Sequence, residues 1–258
     1  MYDPTGAGWI KHTMYGTSRL LQLLGPKACR SGEARNFFLE VRVFEVSRAV
    51  LFSESSFLVT PPWLALINHL RCESEIVHPK EALLDVMSHC ADLCSRALEV
   101  TESLCSQNLT VQDICKLDAL AIEGLGMRVA LSQIEETILL WKCSLREDYQ
   151  LIVAWVYHAA ISIYLSGIYD YGSIWRKNHV ITPVLCKFDI CRHVDTIISL
   201  SIWALENSNL SGLLFLCPLR IAGARAWTCE QKLRIGKALM LIGRSFKVVE
   251  VFSFELGL

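Results

Sequence analysis

The amino-acid sequence predicts an all-α fold: a single multi-helix domain over residues 1–258, with about eight helices around a buried central helix. Three observations lead to this prediction. Apolar residues recur at steps of three and four along nearly the whole chain, which is the spacing of one helix face. Helix-capping signals stand before several of these stripes. No linker rich in Pro, Gly or Ser divides the chain, and its length suits one helical domain.

The composition narrows the class of protein further. The chain has 258 residues, of which 52% are apolar and 20% charged, whereas soluble domains typically have roughly 45–50% and about 25%. This composition excludes intrinsic disorder, which requires low hydrophobicity and a high net charge. With 25 Lys and Arg against 26 Asp and Glu, the net charge is −1. Because duplex affinity comes mainly from cations that neutralise phosphates, we expect no direct nucleic-acid binding.

The first four helices are predicted at 8–25, 31–53, 61–70 and 80–107. The third begins after Thr60-Pro61, an N-cap followed by proline at the first helical position, and the fourth begins after His78-Pro79. The segment from Val41 to Val46 alternates in polarity, but its flanks favour a helix. One apolar stripe defines the fourth helix: Leu83, Met87, Cys90, Cys94, Ala97, Thr101 and Leu104.

The other four helices are predicted at 111–142, 147–168, 190–206 and 213–256. Capping boxes, in which a hydroxyl and a side chain three residues later satisfy each other's amides, run from Ser144 to Glu147 and from Thr228 to Gln231. The second box breaks the last helix near Trp227. We interpret 169–189 as the longest loop. The fifth helix carries the stripe Leu131, Ile134, Ile138 and Trp141.

The segment from Tyr149 to Tyr169 contains no charged residue. Its length alone would allow a membrane span. However, it includes Gln150, His158 and Ser162, and no basic cluster beside it sets an orientation. A helix that is apolar on all faces also belongs in the centre of a helical core. We therefore predict a buried central helix and no membrane association.

The cysteines predict packing, with neither disulfides nor a metal. There are 11, and the first residues lack the basic and apolar regions of a secretory signal, so we expect small buried side chains with reduced thiols. Cys90 and Cys94 lie one helical turn apart on the apolar stripe, where core packing is expected. Cys186, Cys191 and His193 form the most metal-like group, but their spacing matches no standard zinc motif. We predict no metal site.

The sequence contains none of the common catalytic or cofactor-binding motifs. The phosphate loops GxGxxG and GxxxxGK[ST], the nucleophile elbow GxSxG and the zinc motif HExxH are all absent. Arg220 and Arg225 lie about 140° apart on a helix, so they do not hold one anion together. We expect one of them in solvent and the other bridging to a neighbouring helix. The sequence therefore predicts no cofactor and no catalytic residue, and it favours a protein that is not an enzyme.

Three segments occur along the chain in an order that is itself informative. The first is 6–67, the second is a tyrosine-rich central segment, and the third is CPLRIAGARAWTCEQKLRIGKALMLIG at 217–243. Together they resemble the C-terminal regulatory region of fungal zinc-cluster transcription factors, the fungal-specific transcription factor domain. The positions that carry the resemblance in the first two segments are Gly16, Leu20, Leu23, Gly25-Pro26, Phe38-Leu39-Glu40, Arg48-Ala49, Val156-Tyr157-His158 and Ile163-Tyr164-Leu165.

The resemblance implies an all-α domain that senses a metabolite or a protein partner and controls a DNA-binding module. It implies no catalytic residues. Two features depart from the family. The usual Arg-Gly-Pro is Leu24-Gly25-Pro26 here, and the chain contains no Cys-x2-Cys pair. The six-cysteine zinc cluster that would present a cationic helix to DNA is therefore missing from this sequence.

Three functional hypotheses follow. The first is a transcription-regulator-like domain of fungal secondary metabolism, which acts through a protein partner, a homodimer or a small apolar metabolite. The second is a biosynthetic enzyme or small-molecule-binding protein that reuses the helical cavity. The third is a degenerate fragment without activity. The resemblance favours the first, whereas the missing zinc cluster and the apolar helices favour the second.

Four polar residues of the central segment form the candidate ligand site. Tyr157 and Tyr164 are seven residues apart and share a helix face, while His158 and Ser162 share the adjacent face. Each buried hydroxyl or imidazole left unpaired costs roughly 1–3 kcal/mol, so these groups need partners. They could line one pocket for a small apolar metabolite, with Trp155 beside it. The alternative is that the four groups satisfy one another in a dry core.

Overall fold

The computed structural model describes residues 7–74, 76–104, 109–141 and 148–243, with only the backbone given for 7–11 and 13. All regular elements in these residues are helical, which confirms the all-α prediction. A short 3₁₀ turn, Phe57–Val59, precedes the third helix. The α-helices are α1 (Ala7–Ala28), α2 (Gly32–Phe52), α3 (Pro61–Cys72), α4 (Pro79–Leu104), α5 (Val111–Leu139), α6 (Tyr149–Asp170), α7 (Ser173–Lys177), α8 (Lys187–Asn207), α9 (Leu213–Arg225) and α10 (Cys229–Gly243).

The predicted helices match these elements closely, and the described residues contain ten α-helices. The break predicted near Trp227 separates α9 from α10, and the segment predicted as a loop at 169–189 contains the five-residue helix α7. The Ser144–Glu147 capping box and the predicted helical residues 244–256 lie outside the described residues. Gly25, at φ 73°, ends the regular part of α1 just before Pro26.

The helix starts show which capping signals operate. The predicted box at α10 is present: the Gln231 amide donates to Thr228 Oγ1 at 3.0 Å, and Gln231 Oε1 accepts from the Thr228 amide at 3.4 Å. Thr60 is the N-cap of α3, as predicted, but its hydroxyl instead donates to the carbonyl of Phe57 at 2.7 Å. Cys186 caps α8, since its sulfur accepts from the Asp189 amide at 3.5 Å.

Helix α6 is the central helix, as predicted. It packs against α4, α5, α8 and α9, and its side chains are buried almost throughout. Each fully buried Val, Leu or Ile contributes about 1.5–3 kcal/mol, so this helix supplies much of the apolar burial. It is the one helix in the described residues that is long and apolar enough to cross a membrane, but 78% of its most apolar stretch is buried inside the protein. Its apolar character is therefore explained by the core.

Asp148 fixes the N-terminus of α6. Its carboxylate accepts from the Gln150 amide at 3.0 Å, and so it caps the helix. The same carboxylate accepts from Trp141 Nε1 at 3.2 Å and lies 3.1 Å from His78 Nε2. One side chain therefore joins the start of α6 to the residues that follow α5 and precede α4.

A proline in α9 explains one contact of α6. In a helix, the carbonyl of Leu214 would accept from the amide of residue 218, but Pro218 has no N–H. The hydroxyl of Tyr157 donates to that carbonyl at 2.9 Å. The tyrosine thus supplies the hydrogen bond that the proline removes, and it ties α6 to α9.

A glycine in α5 allows a second close contact. The Tyr169 hydroxyl donates to the carbonyl of Leu120 at 2.7 Å, and a Cβ at Gly124 would lie 2.3 Å from that hydroxyl oxygen. Any larger residue at 124 must therefore displace the tyrosine. Gly126, two residues later, is exposed and has no heavy atom within 4 Å of an added Cβ.

We predict opposite effects for alanine at these two glycines. Gly124→Ala should lower the free energy of unfolding by about 1–3 kcal/mol, because the new methyl group overlaps Tyr169. Gly126→Ala should raise it by roughly 0.5–1 kcal/mol, because alanine is the better helix former and meets no neighbour. Urea denaturation of both variants measures the difference. Equal stabilities would contradict the close approach of α5 and α6.

Candidate ligand-binding cavity

The structure separates the four candidate residues of α6. Tyr157 is 1% exposed, and its hydroxyl is used by the carbonyl of Leu214 in α9. His158 lies on another side of the helix, where Nε2 is 3.2 Å from the carbonyl of Leu131 in α5. Both side chains are thus satisfied by neighbouring helices, as a dry core would require.

Ser162 and Tyr164 also lie in different surroundings. The backbone carbonyl of Ser162 accepts from Arg128 Nη2 at 3.0 Å, and the same nitrogen donates to the carbonyl of Pro183. Tyr164 alone of the four candidates lines a cavity among α4, α6, α7 and α9. The structure therefore brings one of the four residues to this cavity and places the other three elsewhere in the core.

The cavity has a volume of about 440 Å³, which lies within the usual range for small-molecule sites of about 300–1,000 Å³. Its walls are mostly apolar and come from four helices and the turn between α6 and α7. Representative lining residues are Ala97 and Leu98 of α4, Ile163 and Gly167 of α6, Trp175 of α7 and Ile221 of α9.

Three side chains that line this cavity carry a buried polar atom without a hydrogen-bond partner. They are the Tyr164 hydroxyl, the Trp175 indole nitrogen and the Arg225 Nε. Six such side-chain atoms occur in the part of the chain that the structure describes, and half of them are on side chains that line this one cavity, although each atom is itself almost fully covered by protein. Buried polar groups are normally paired, so this concentration calls for a partner that the protein itself does not provide.

Arg225 is the only charged residue among the described residues that line the cavity. It is 8% exposed and pairs through Nη2 with the carboxylate of Asp170, at the C-terminus of α6. Its guanidinium also lies 5.1 Å from the centre of the Tyr171 ring. This is the bridge to a neighbouring helix that the sequence predicts for one of the two arginines. The positive charge is already balanced by Asp170.

Two further side chains of the cavity, Tyr164 and Cys94, are neutral near pH 7. Burial raises the pKa of Tyr164, and the neighbouring thiol of Cys94 raises it further. Burial likewise raises the pKa of the Cys94 thiol. The two side chains are electrostatic neighbours, yet no hydrogen bond of normal geometry joins the tyrosine hydroxyl to the thiol. The wall therefore combines apolar surface, neutral polar groups and one compensated cation.

A second cavity, of about 330 Å³, lies among α2, α3 and α4 but has a different character. Its charged groups form ion pairs: Arg42 pairs with Glu81 and Asp85, and Arg71 also pairs with Asp85, although the Arg42 Nε has no partner. A ligand entering there would have to compete with ion pairs within the protein. The cavity that contains Tyr164 is therefore the better candidate site.

His158 faces a second buried histidine, His193 of α8, with the ring centres 6.0 Å apart. Burial lowers the pKa of both imidazoles, and for His193 it falls to about 4, with His158 itself adding to the effect. Arg128 and Arg192 lower both values further, while Glu135 and Asp189 act in the opposite direction on one imidazole each. The pair is neutral near pH 7 and lies outside both cavities.

The cysteine and histidine groups considered in the sequence do not gather. Among the described residues, no three His, Cys, Asp or Glu side chains are arranged to hold a metal ion. Cys186 serves as the N-cap of α8 and donates to Asp189 at 3.0 Å. His193 faces the core, where it meets His158. Cys90 and Cys94 are buried free thiols, as core packing requires.

Sequence reasoning missed two residues of the cavity as site residues, Trp175 and Arg225. Trp175 lies in a segment that we interpreted as a loop, and it carries no periodic signal. Arg225 was singled out, but its partner Asp170 is 55 residues away in the chain. Two residues that allow contacts of α6 are of types that a sequence shows directly. Pro218 lacks the amide that would bond the Leu214 carbonyl, and Gly124 lacks the side chain that would displace Tyr169.

Comparisons with known proteins add no relative. No family model matches the chain, and neither a curated protein nor a solved structure matches it. The resemblance to the fungal-specific transcription factor domain therefore stays a prediction from the sequence.

We predict that the histidine pair destabilises the fold in acid. Because the folded pKa of His193 is about 4 and its unfolded value is near 6.5, the unfolded chain binds more protons between these values. Stability should thus fall as the pH drops from 7 to 4, with roughly 3 kcal/mol attributable to His193. Urea denaturation of wild type and His193→Gln at several pH values measures this contribution of His193 to the free energy of unfolding.

The relevant quantity is the difference between the two proteins, since other groups also titrate over this range. The free energy of unfolding of His193→Gln relative to that of wild type should increase as the pH falls. His89→Gln, at an exposed position, is the control for the loss of a histidine outside the core. A difference between wild type and His193→Gln that does not change with pH would show that His193 titrates normally.

We also predict opposite stability effects for two tyrosines of α6. Tyr157→Phe should lower the free energy of unfolding by about 1–3 kcal/mol, because the Leu214 carbonyl then has no donor. Tyr164→Phe should leave it unchanged or raise it, because the hydroxyl that is removed has no partner. Thermal and urea unfolding compare the two variants. Equal losses of stability would mean that the Tyr164 hydroxyl is paired after all.

Proposed function

We propose that this chain is a transcription-regulator-like helical domain that binds a small apolar metabolite in the cavity containing Tyr164. The supporting observation is the group of three unpaired buried donors in one apolar cavity. On this proposal, the bound metabolite alters how the domain meets a protein partner or a second copy, and no direct contact with DNA is involved. The resemblance to the fungal-specific transcription factor domain supplies the setting, fungal secondary metabolism, and a location in the nucleus or cytoplasm.

The chemistry of the cavity supports binding over catalysis. A general base or nucleophile needs a pKa near the working pH and a partner that activates it. In this cavity, burial keeps the Cys94 thiol and the Tyr164 hydroxyl protonated, and Arg225 is engaged with Asp170. These groups can orient a ligand by hydrogen bonding, but they offer no acid–base pair. The alternative, a small-molecule-binding protein or enzyme of a biosynthetic pathway, would use the same cavity.

A ligand in this position would affect several helices together. The lining side chains come from α4, α6, α7 and α9, and α6 also packs on α5 and α8. Binding to the folded state stabilises it by mass action. The ion pair between Arg225 and Asp170 joins the C-termini of α9 and α6 beside the cavity. A ligand that contacts Arg225 therefore also affects this ion pair. On this proposal, ligand binding therefore changes how the helices around the cavity pack.

We predict that filling the cavity abolishes ligand binding without unfolding the protein. A Cβ at Gly167 would meet only Tyr171, at 3.7 Å, so Gly167→Leu should place its side chain in the cavity. Uncharged apolar molecules should raise the melting temperature of wild type and leave that of Gly167→Leu unchanged. Gly126→Leu is the matched control, since this exposed helical glycine also has free space around it but is not part of the cavity lining.

A second measurement separates regulation from catalysis. The chain is fused to an unrelated DNA-binding module, and reporter transcription is followed with and without a ligand that passed the melting test. The proposal expects transcription to change with the ligand for wild type and Gly126→Leu, but not for Gly167→Leu. Chemical conversion of the ligand by the purified chain would instead favour the enzyme, and salt-sensitive binding of bare duplex by the unfused chain would overturn the indirect mode of action.

A further inference from the structure

The unpaired polar atoms of the cavity share one property: each is a hydrogen-bond donor. The indole N–H of Trp175 and the Nε–H of Arg225 can only donate, and the Tyr164 hydroxyl can donate as well as accept. A ligand that satisfies them must therefore bring acceptor oxygens or nitrogens. This argument rests on the proposed function, because it assumes that the cavity is occupied by a small molecule.

Gly172 packs directly against the indole edge that carries one of these donors. A Cβ at this position would lie 2.8 Å from Trp175 Nε1 and 2.8 Å from Cδ1, so only glycine lets the indole edge sit where it does. The indole also packs edge-on against Tyr169, with the ring centres 4.9 Å apart, and it is 1% exposed. Its N–H is thus held in a fixed position without a protein acceptor.

The charge balance restricts the ligand further. Arg225 is the only charged residue that lines the cavity in the described part of the chain, and its charge is already met by Asp170. A ligand carboxylate would add a second anion to the same guanidinium and would leave water for mostly apolar surroundings. Burial of an uncompensated charge is costly, whereas a neutral carbonyl oxygen accepts hydrogen bonds without that cost.

From these observations we infer that the cavity binds an uncharged, largely apolar molecule whose polar end carries carbonyl-type acceptors, as in a ketone, ester or lactone. The unpaired atoms of Tyr164, Trp175 and Arg225 are almost fully covered by protein, so on this inference small side-chain rotations expose them to donate to these acceptors. The aliphatic residues of α4 and α9 contact the apolar body. The volume of about 440 Å³ corresponds to about fifteen water-sized volumes, which suits a molecule of one or two rings. Free acids and amines are excluded by the charge balance.

Three probes of similar shape test this inference: benzophenone, diphenylmethane and 4-benzoylbenzoate. The first is a neutral ketone, the second lacks the acceptor, and the third adds a carboxylate. Titration calorimetry at pH 7.5 gives their affinities for the intact chain, and ultraviolet cross-linking of benzophenone with peptide mapping locates the site. We expect benzophenone to bind most tightly and to label peptides of α4, α6 or α9.

Two conservative variants assign the donors. Tyr164→Phe and Trp175→Phe should each weaken benzophenone binding by roughly 2- to 12-fold, the worth of one hydrogen bond, and leave diphenylmethane binding unchanged. Tyr157→Phe is the matched control, because this tyrosine lies on the same helix with its hydroxyl already bonded to Leu214. It should change neither affinity.

Asp170→Asn tests the charge argument separately. Removing the carboxylate leaves the Arg225 charge uncompensated, so 4-benzoylbenzoate should gain affinity relative to benzophenone. Circular dichroism checks that the variant stays folded. An unchanged ratio of the two affinities would overturn the view that Asp170 sets the preference for neutral ligands.

The outcomes also distinguish this inference from the proposed function. If diphenylmethane binds as tightly as benzophenone, or if wild type prefers 4-benzoylbenzoate, the cavity remains a ligand site but the ligand class is wrong. If none of the three probes binds, the cavity is not a small-molecule site and both proposals fail. Cross-links that map to peptides away from the cavity would overturn both in the same way.

Discussion

The complete burial of α6 is the constraint on which the rest of the structure depends. A helix without a charged side chain between Tyr149 and Tyr169 is stable in water only if other helices cover every face, and α4, α5, α8 and α9 do so. Charge appears only at its two ends. Asp148 caps the N-terminus and also contacts Trp141 and His78, while Asp170, the last residue of the helix, pairs with Arg225.

Because the helix is buried, its polar side chains need hydrogen-bond partners other than bulk water. The Tyr157 hydroxyl meets the carbonyl that Pro218 leaves free, and the Tyr169 hydroxyl reaches Leu120 across Gly124. In both cases the neighbour has a backbone feature that makes the bond necessary or sterically possible. Tyr164 is the exception, since no neighbour accepts its proton. An unsatisfied hydroxyl on an otherwise satisfied helix is the reason that the cavity stands out.

The cavity and the histidine pair show two ways in which this core carries buried polar groups. His158 and His193 are kept neutral by burial and cost stability only when protons become available. The donors around the cavity are neutral or compensated at every ordinary pH, so their cost is constant until a partner arrives. The unpaired donors around the cavity suit a function that depends on ligand binding. The histidine pair instead makes the stability of the fold sensitive to acid. The two groups lie on different sides of α6.

The sequence by itself determined the helices and the central position of α6, because helical periodicity, caps and the absence of charge are local properties. It also singled out four polar residues of that helix as a candidate site. It could not tell which of them faces a cavity, since Tyr157 and Tyr164 share a face but lie about 10 Å apart along the axis and meet different neighbours. Trp175 and Arg225 join Tyr164 only through the packing of α7 and α9 on α6. Tertiary structure decided the site because its donors come from three separate elements, and no local pattern records how those elements meet.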